Sequence, residues 1–239
     1  AYNLIMNIYN QDKTKLVNTV FSKVHNNYDL MNDLMSLGVH RLWKTNLINW
    51  MNPQSGNKII DVAAGTGDLA KMISQKKNNR NVFYCVEPNE GMLSTGKKKL
   101  KSFPNIKWYL NFAEKLPFAD NTFDFYTISY GIRNVSDINQ CLKEAYRVLK
   151  PGGRFFCLEF SKVENEILNL LYQNYSRLIP LIGKIIVGSE APYEYLVDSI
   201  EKFYNQNELV DLLEINNFSN VEFRNLSNGI SAIHSGWKI

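Results

Sequence analysis

The sequence predicts an α/β domain, a parallel sheet covered by helices and closed by an antiparallel hairpin. Three observations predict it. Four or five short apolar runs alternate with helix-length segments, and that alternation feeds parallel strands through helical crossovers. The first run, Ile59-Ile60-Asp61-Val62-Ala63-Ala64, stops at Gly65-Thr66-Gly67-Asp68, the pattern of a strand, a tight turn and a helix facing a ligand. Two further runs, Val221 to Leu226 and Ile230 to Gly236, follow one another closely enough to pair as a hairpin. A length of 239 residues, 45% of them hydrophobic, suits one such domain.

The elements follow in order. Residues 1–52 read as a helical cap, because Leu16, Val17, Val20, Phe21 and Val24 recur at helical spacing, and Leu42, Leu47 and Trp50 do so again. Pro53, Ser55 and Gly56 break the chain before a strand at Lys58 to Val62. After the glycine turn come a helix from about Asp68 to Lys76, a strand from Asn81 to Glu87 and a helix from Glu90 to Leu100. Ile106 to Leu110 and Thr122 to Ser129 are the next strands, and Asp137 is the expected N-cap of a helix running to Leu149. Pro151-Gly152-Gly153 turns the chain into a strand at Arg154 to Phe160. Residues 161–204 break the alternation with an apolar block, Ile167 to Val187, interrupted by Asn174, Arg177, Pro180, Gly183 and Lys184. That block is too broken for a membrane span. It reads either as a core helix pair or as a lid with a greasy inner surface. Gln206 to Asn216 is a further helix.

The net charge of +4 comes largely from two lysine clusters, Lys76-Lys77 with Arg80 and Lys97-Lys98-Lys99 with Lys101. Such clusters are solvated helix ends, which argues against nucleic acid and leaves a weak attraction to anionic membranes. Cys85, Cys141 and Cys157 lack metal-ligand spacing and read as buried apolar residues of a reduced, intracellular protein. No signal peptide stands out, and no metal-binding set does.

Gly65-Thr66-Gly67-Asp68-Leu69-Ala70 fits a nucleotide-binding turn, and Glu87 stands twenty residues after Gly67 at a strand end, placed to accept from both hydroxyls of a ribose. These features suit NAD and S-adenosylmethionine (SAM) equally. Asp61 and Asp68 favour SAM, because two carboxylates repel a diphosphate and attract an ammonium and a sulfonium. A dehydrogenase reading also lacks a Tyr-x-x-x-Lys proton relay.

The turn, Glu87, Ala113-Glu114 before Leu116-Pro117-Phe118, and Arg147-Val148-Leu149-Lys150-Pro151-Gly152-Gly153 together resemble class I SAM-dependent methyltransferases. Narrower stretches are Tyr28-Asp29-Leu30-Met31-Asn32-Asp33-Leu34-Met35-Ser36 with His40-Arg41-Leu42-Trp43-Lys44, and Thr127-Ile128-Ser129-Tyr130-Gly131-Ile132-Arg133-Asn134-Val135. Tyr195-Leu196-Val197-Asp198-Ser199-Ile200 and the closing Gly229-Ile230 with Ala232, His234 and Gly236 complete the set. By these the chain resembles the ubiquinone/menaquinone-biosynthesis C-methyltransferases, from about Lys15 onward. The resemblance implies a Rossmann-like, seven-stranded, mostly parallel sheet with an antiparallel C-terminal strand, helices on both faces, the N-terminal cap and a lid at residues 161–204, all one domain over 1–239. It implies SAM at Asp61, Gly65, Thr66, Gly67, Glu87, Phe112, Ala113 and Ser129, and no metal. This chain departs from the family pattern at Ala64, where a second glycine is usual, at Glu87, where Asp is usual, and at Phe112, where a small polar residue is usual.

The implied reaction is methylation of a ring carbon of a polyprenylated benzoquinol, of the 2-polyprenyl-6-methoxy-1,4-benzoquinol type, with demethylmenaquinol as a further acceptor. Arg133 and Asn134 follow the fourth strand, where open sheets place ligands. Arg133 is expected to stabilise a developing phenolate, the alternative being a structural salt bridge, and Asn134 to hold a phenol or a water. Tyr28 is a third candidate catalytic residue. His25, His40 and His234, each alone among apolar or small residues, read as structural. Partners expected from the resemblance are the quinol, a membrane surface bound weakly, and a homodimer or a quinone-biosynthesis complex. The expected home is the cytoplasmic face of a bacterial inner membrane or the matrix side of a mitochondrial one. A SAM-binding scaffold with weak catalysis and a methyltransferase for another apolar acceptor stay open as alternatives.

Overall fold

The computed structural model describes residues 38–76, 80–187 and 190–239, together with Val17, Asp33 and Ser36. One sheet organises them, with strand order β3-β2-β1-β4-β5-β7-β6. The strands are β1 (Lys58–Val62), β2 (Val82–Val86), β3 (Ile106–Tyr109), β4 (Phe123–Ser129), β5 (Leu149–Phe160), β6 (Ser219–Leu226) and β7 (Ser231–Trp237). β3, β2, β1, β4 and β5 pair in parallel, and β7 inserts antiparallel between β5 and β6. The expected seven-stranded sheet and closing hairpin are both present. The chain order reverses between β1 and β4, and the carboxyl ends of those two strands open the crevice where such sheets bind ligands.

The helices are α1 (His40–Met51), α2 (Asp68–Ser74), α3 (Glu90–Lys99), α4 (Ile138–Val148), α5 (Glu166–Val187), α6 (Ala191–Glu201) and α7 (Gln206–Ile215). β1 is buried on both faces along Ile59, Ile60, Asp61 and Val62, as a central parallel strand must be. One core, with Leu47, Ile59, Ile73 and Phe156, gathers α1, α2, α5 and α6 on one side of the sheet. The other, with Ile60, Tyr126, Leu142 and Leu213, gathers α4 and α7. Caps fall where the side chains allow them. Asp137 accepts from Gln140 N–H at 3.0 Å, Asn89 caps α3 through Met92 N–H, and Asn205 with Glu208 forms a capping box on α7. Of the expected N-terminal cap, α1 is present, whereas Tyr28 and His25 lie outside the described residues.

Two expectations shift. β5 starts at Leu149 rather than at Arg154, because Leu149 already pairs with Phe123 and Lys150 to Gly153 then bulge out before Arg154 meets Phe125. The helix after the glycine turn ends at Ser74, two residues early. The insert comprises α5 and α6. Its apolar residues divide between two roles. Ile179 of α5 and Tyr193, Leu196 and Ile200 of α6 are buried, while Ile167, Leu170, Leu171, Leu178 and Leu181 stand more than half exposed along α5. No helix among the described residues is long and apolar enough to cross a membrane.

Candidate active site

A cleft opens at the carboxyl ends of β1, β2 and β4, walled by Ala63, Gly65, Glu87, Phe112, Ala113 and Asn134, with Val17 from the N-terminal segment. A smaller pocket shares Ala63 and Tyr130 with it and adds Lys44, Asp61, Thr66 and Ser129. Ala63 and Tyr130, just past the ends of β1 and β4, both hold left-handed backbone, at φ 52° and 56°. Non-glycine residues adopt that conformation at a cost, and the cost concentrates where ligands bind.

Glu87 is buried at the end of β2, and each carboxylate oxygen already accepts a backbone N–H, Gly65 at 2.8 Å and Asn89 at 3.0 Å. Those bonds fix its orientation toward the cleft and oppose the burial that pushes its carboxyl up to about 7. Asp61 is also buried and accepts from Thr127 Oγ1 at 2.8 Å across the β1–β4 register. Burial pushes its carboxyl up to about 7 as well, with Thr127 and the Lys44 ammonium pulling the other way. Ser129 Oγ is buried in the small pocket with no hydrogen-bond partner among the described residues. A buried hydroxyl left this way marks a place for a ligand's polar atom. The residues present therefore suit a ligand that carries a ribose, an ammonium and a carboxylate.

Asp68, unlike Asp61, is not available to a cationic ligand. Its two oxygens are taken by Lys44 Nζ at 3.0 Å and Lys99 Nζ at 2.7 Å. Burial raises its carboxyl, but the two ammoniums outweigh that and hold it well below the usual carboxylate range. Asp68 is a neutralised helix-start residue, and Asp61 alone supplies an anion for a cationic ligand. Lys99 also lies 3.2 Å from Thr66 Oγ1. Lys44, the last residue of the His40-to-Lys44 stretch, lines the small pocket beside Asp61.

Gly67 also answers a need other than the expected one. At φ 83°, a Cβ there would lie 2.7 Å from Leu100 and 2.9 Å from the Trp108 ring, so the core requires the glycine. Gly67→Ala is expected to lower stability by about 1–3 kcal/mol, read by thermal unfolding of the ligand-free protein. Unchanged melting with lost cofactor binding would instead return Gly67 to a ligand-clearance role. Phe112 is partly exposed on the cleft wall, and its N–H donates to Asn111 Oδ1 at 2.9 Å. Ala113 is buried beside it. The loop bearing both is pinned by Arg147, which donates to the Leu116 and Phe118 carbonyls and pairs with Glu144 and Asp120. Leu116-Pro117-Phe118 and Arg147 thus meet in a scaffold.

Arg133 and Asn134 share a 3₁₀ turn, Ile132–Asn134, after β4. Asn134 faces the cleft. Arg133 does not line it. Its guanidinium is buried, 2.5 Å from Glu159 Oε1 of β5 and 2.9 Å from the Tyr130 carbonyl, and it lies over the Phe160 ring. Glu159, which the sequence reading did not single out, also accepts Phe160 N–H. This geometry is that of the structural salt bridge. His234 is buried in β7, its Nε2 2.9 Å from the Gln206 carbonyl, and His40 Nε2 lies 2.9 Å from Asp33. Neither lines the two pockets. Cys85, Cys141 and Cys157 are buried free thiols.

A mostly parallel sheet with one antiparallel strand, a buried acid at the end of β2 and a buried aspartate on β1 fit a class I SAM-dependent methyltransferase. A methyltransferase structure from Thermotoga maritima covers 93% of this chain and all of its own, with a TM-score of 0.67 and 20% identity, which bears on the fold alone. The profile of the ubiE/COQ5 methyltransferase family matches residues 8–238. The chain belongs to that family. It is 50% identical over the full length of both chains to the ubiquinone/menaquinone biosynthesis C-methyltransferase UbiE of Rickettsia prowazekii. It is 43% identical to the mitochondrial 2-methoxy-6-polyprenyl-1,4-benzoquinol methylase of Dictyostelium discoideum, over 96% of this chain and 83% of that one.

Proposed function

We propose that the protein methylates a ring carbon of a polyprenylated benzoquinol, with demethylmenaquinol as a further acceptor. The observation that carries this reading is the full-length likeness to the rickettsial C-methyltransferase. Bound SAM supplies a methyl group on a sulfonium, which is already strongly electrophilic. Glu87 accepts from the ribose hydroxyls, Phe112 and Ala113 wall the base, and Gly65 and Thr66 border the turn. Asp61 faces the ammonium, and Lys44 with Ser129 takes the carboxylate, so that opposite charges meet the two ends of a zwitterion.

The acceptor's carbon becomes nucleophilic when its phenolic oxygen gives up or shares a proton. Asn134 donates to that oxygen, directly or through a water. Arg133 keeps a fixed positive charge at the base of the same turn, balanced by Glu159. It is not a free base, since a guanidinium stays protonated above pH ~12. Tyr28 is a further candidate phenolic donor. The exposed apolar row on α5 meets the polyprenyl tail or the membrane surface that holds it, where each buried CH₂ contributes about 0.8 kcal/mol. The protein then works as a single domain at a membrane face and binds it reversibly.

The test uses methyl-labelled SAM and a demethylated quinol in anionic vesicles. Label on the ring carbon, with protein sedimenting with loaded vesicles at low salt, is the expected result. SAM binding without transfer would favour the scaffold, and label on a phenolic oxygen another class of acceptor chemistry.

A further inference from the structure

Tyr195 belongs to the lid, yet its hydroxyl reaches the site. It projects from α6, and its Oη donates to Asn134 Oδ1 at 3.0 Å, across 61 residues of chain. The second end of the same amide is also engaged, with Asn134 Nδ2 3.4 Å from the Tyr130 carbonyl. α6 holds Tyr195 from a fixed base. Leu196 and Ile200 are buried in the core. Tyr193 is fully buried against Gly183 of α5, so closely that a Cβ there would lie 2.2 Å from its ring.

From this juxtaposition we infer that Tyr195 is a positioning residue for the methyl transfer, turning the Asn134 amide so that its N–H₂ end serves the acceptor. The inference rests on the reading that Asn134 faces the acceptor. A primary amide is nearly symmetric in shape, and its oxygen and nitrogen ends exchange by a flip that sterics barely resist. The acceptor oxygen gains negative charge as the ring is activated, so it needs a donor and is repelled by a carbonyl. A phenol O–H at Oδ1 and a carbonyl at Nδ2 select one orientation and leave the second amide proton for the ligand. The selection depends on the seat of α6 in the core, which holds the Tyr195 hydroxyl against the amide.

The experiment compares Tyr195→Phe, Asn134→Ala and the double variant in the full chain, reading kcat, quinol KM, SAM Kd and melting temperature. Tyr195→Phe is expected to lower kcat about tenfold, with SAM Kd within about twofold of the parent. The double variant is expected to match Asn134→Ala alone, since a residue acting only through another adds nothing once that one is gone. Asn134→Asp accepts the same Tyr195 bond but cannot donate. It is expected to lose kcat as Asn134→Ala does, and its melting temperature shows how far the lost bond to the Tyr130 carbonyl lowers stability. Full activity of Asn134→Asp, or multiplied losses in the double variant, would overturn the inference. A loss at Asn134→Ala with none at Tyr195→Phe would overturn the positioning role and spare the acceptor role of Asn134. No loss at Asn134→Ala would overturn both.

Discussion

Arg133→Ala is expected to cost about 3–5 kcal/mol of stability and to abolish turnover, because it strands Glu159 as an unpaired charge inside the protein. Both side chains are almost wholly buried and the ion pair is short. The variant that separates scaffold from chemistry removes both charges, Arg133→Met with Glu159→Leu. Replacing a buried pair by apolar side chains of similar volume is often neutral or stabilising, so melting should recover to near the parent value. Turnover should return with it, since the pair is neutral as a whole and Arg133 does not line the cleft, while SAM Kd should change little. Turnover that stays low despite recovered stability would give the Arg133 charge a part in the chemistry. The double variant thus decides a question that Arg133→Ala alone leaves confounded.

SAM affinity is expected to fall about thirtyfold between pH 7 and pH 6, the product of about fivefold from each of two buried carboxylates that must be ionised to bind. Asp61 and Glu87 both sit near 7 in the ligand-free protein, raised by burial. A cation beside Asp61 and hydroxyls on Glu87 favour the ionised forms, so binding releases protons and strengthens as pH rises through this window. Below pH 7 the ligand's own amino group stays charged, near its usual value of about 7.7–8.0. The sign for the empty protein is opposite. With folded values above the unfolded ones of roughly 4, the folded state binds more protons between pH 4 and 7, and stability falls as pH rises there. Asp61→Asn should leave only about a fivefold dependence, the share of one remaining carboxylate. Calorimetry in two buffers of different ionisation enthalpy measures the released protons directly. Flat affinity from pH 6 to 7 would show that the two groups are already ionised.

What the chain discloses without a structure follows the range of the interactions involved. Ile59 to Val62, Phe123 to Ser129 and the Asp137 cap are set by neighbours in sequence, and their elements fall within a residue or two of expectation. Glu87 was legible because its distance from the glycine turn is fixed by one strand–helix–strand unit. The Arg133–Glu159 pair was not, since 26 residues separate the partners and only the β4–β5 register joins them. Asp68 looked available for the same reason, as Lys44 and Lys99 lie 24 and 31 residues away. Gly67 shows a third limit. Its spacing fits a ligand motif, but Trp108 on β3 is what excludes a side chain there.

The position of β7 governs how the chain can assemble as it is made. β7 is synthesised after β6, yet it must slide between β5 and β6 and satisfy the edges of both. At about 5–20 residues per second, the ribosome releases every side chain of the cleft and the lid before this keystone strand appears. Until then the β5 edge is an open template for another chain. Cover of the β5 edge is therefore the last part of the sheet to form, and freedom from self-association waits on it.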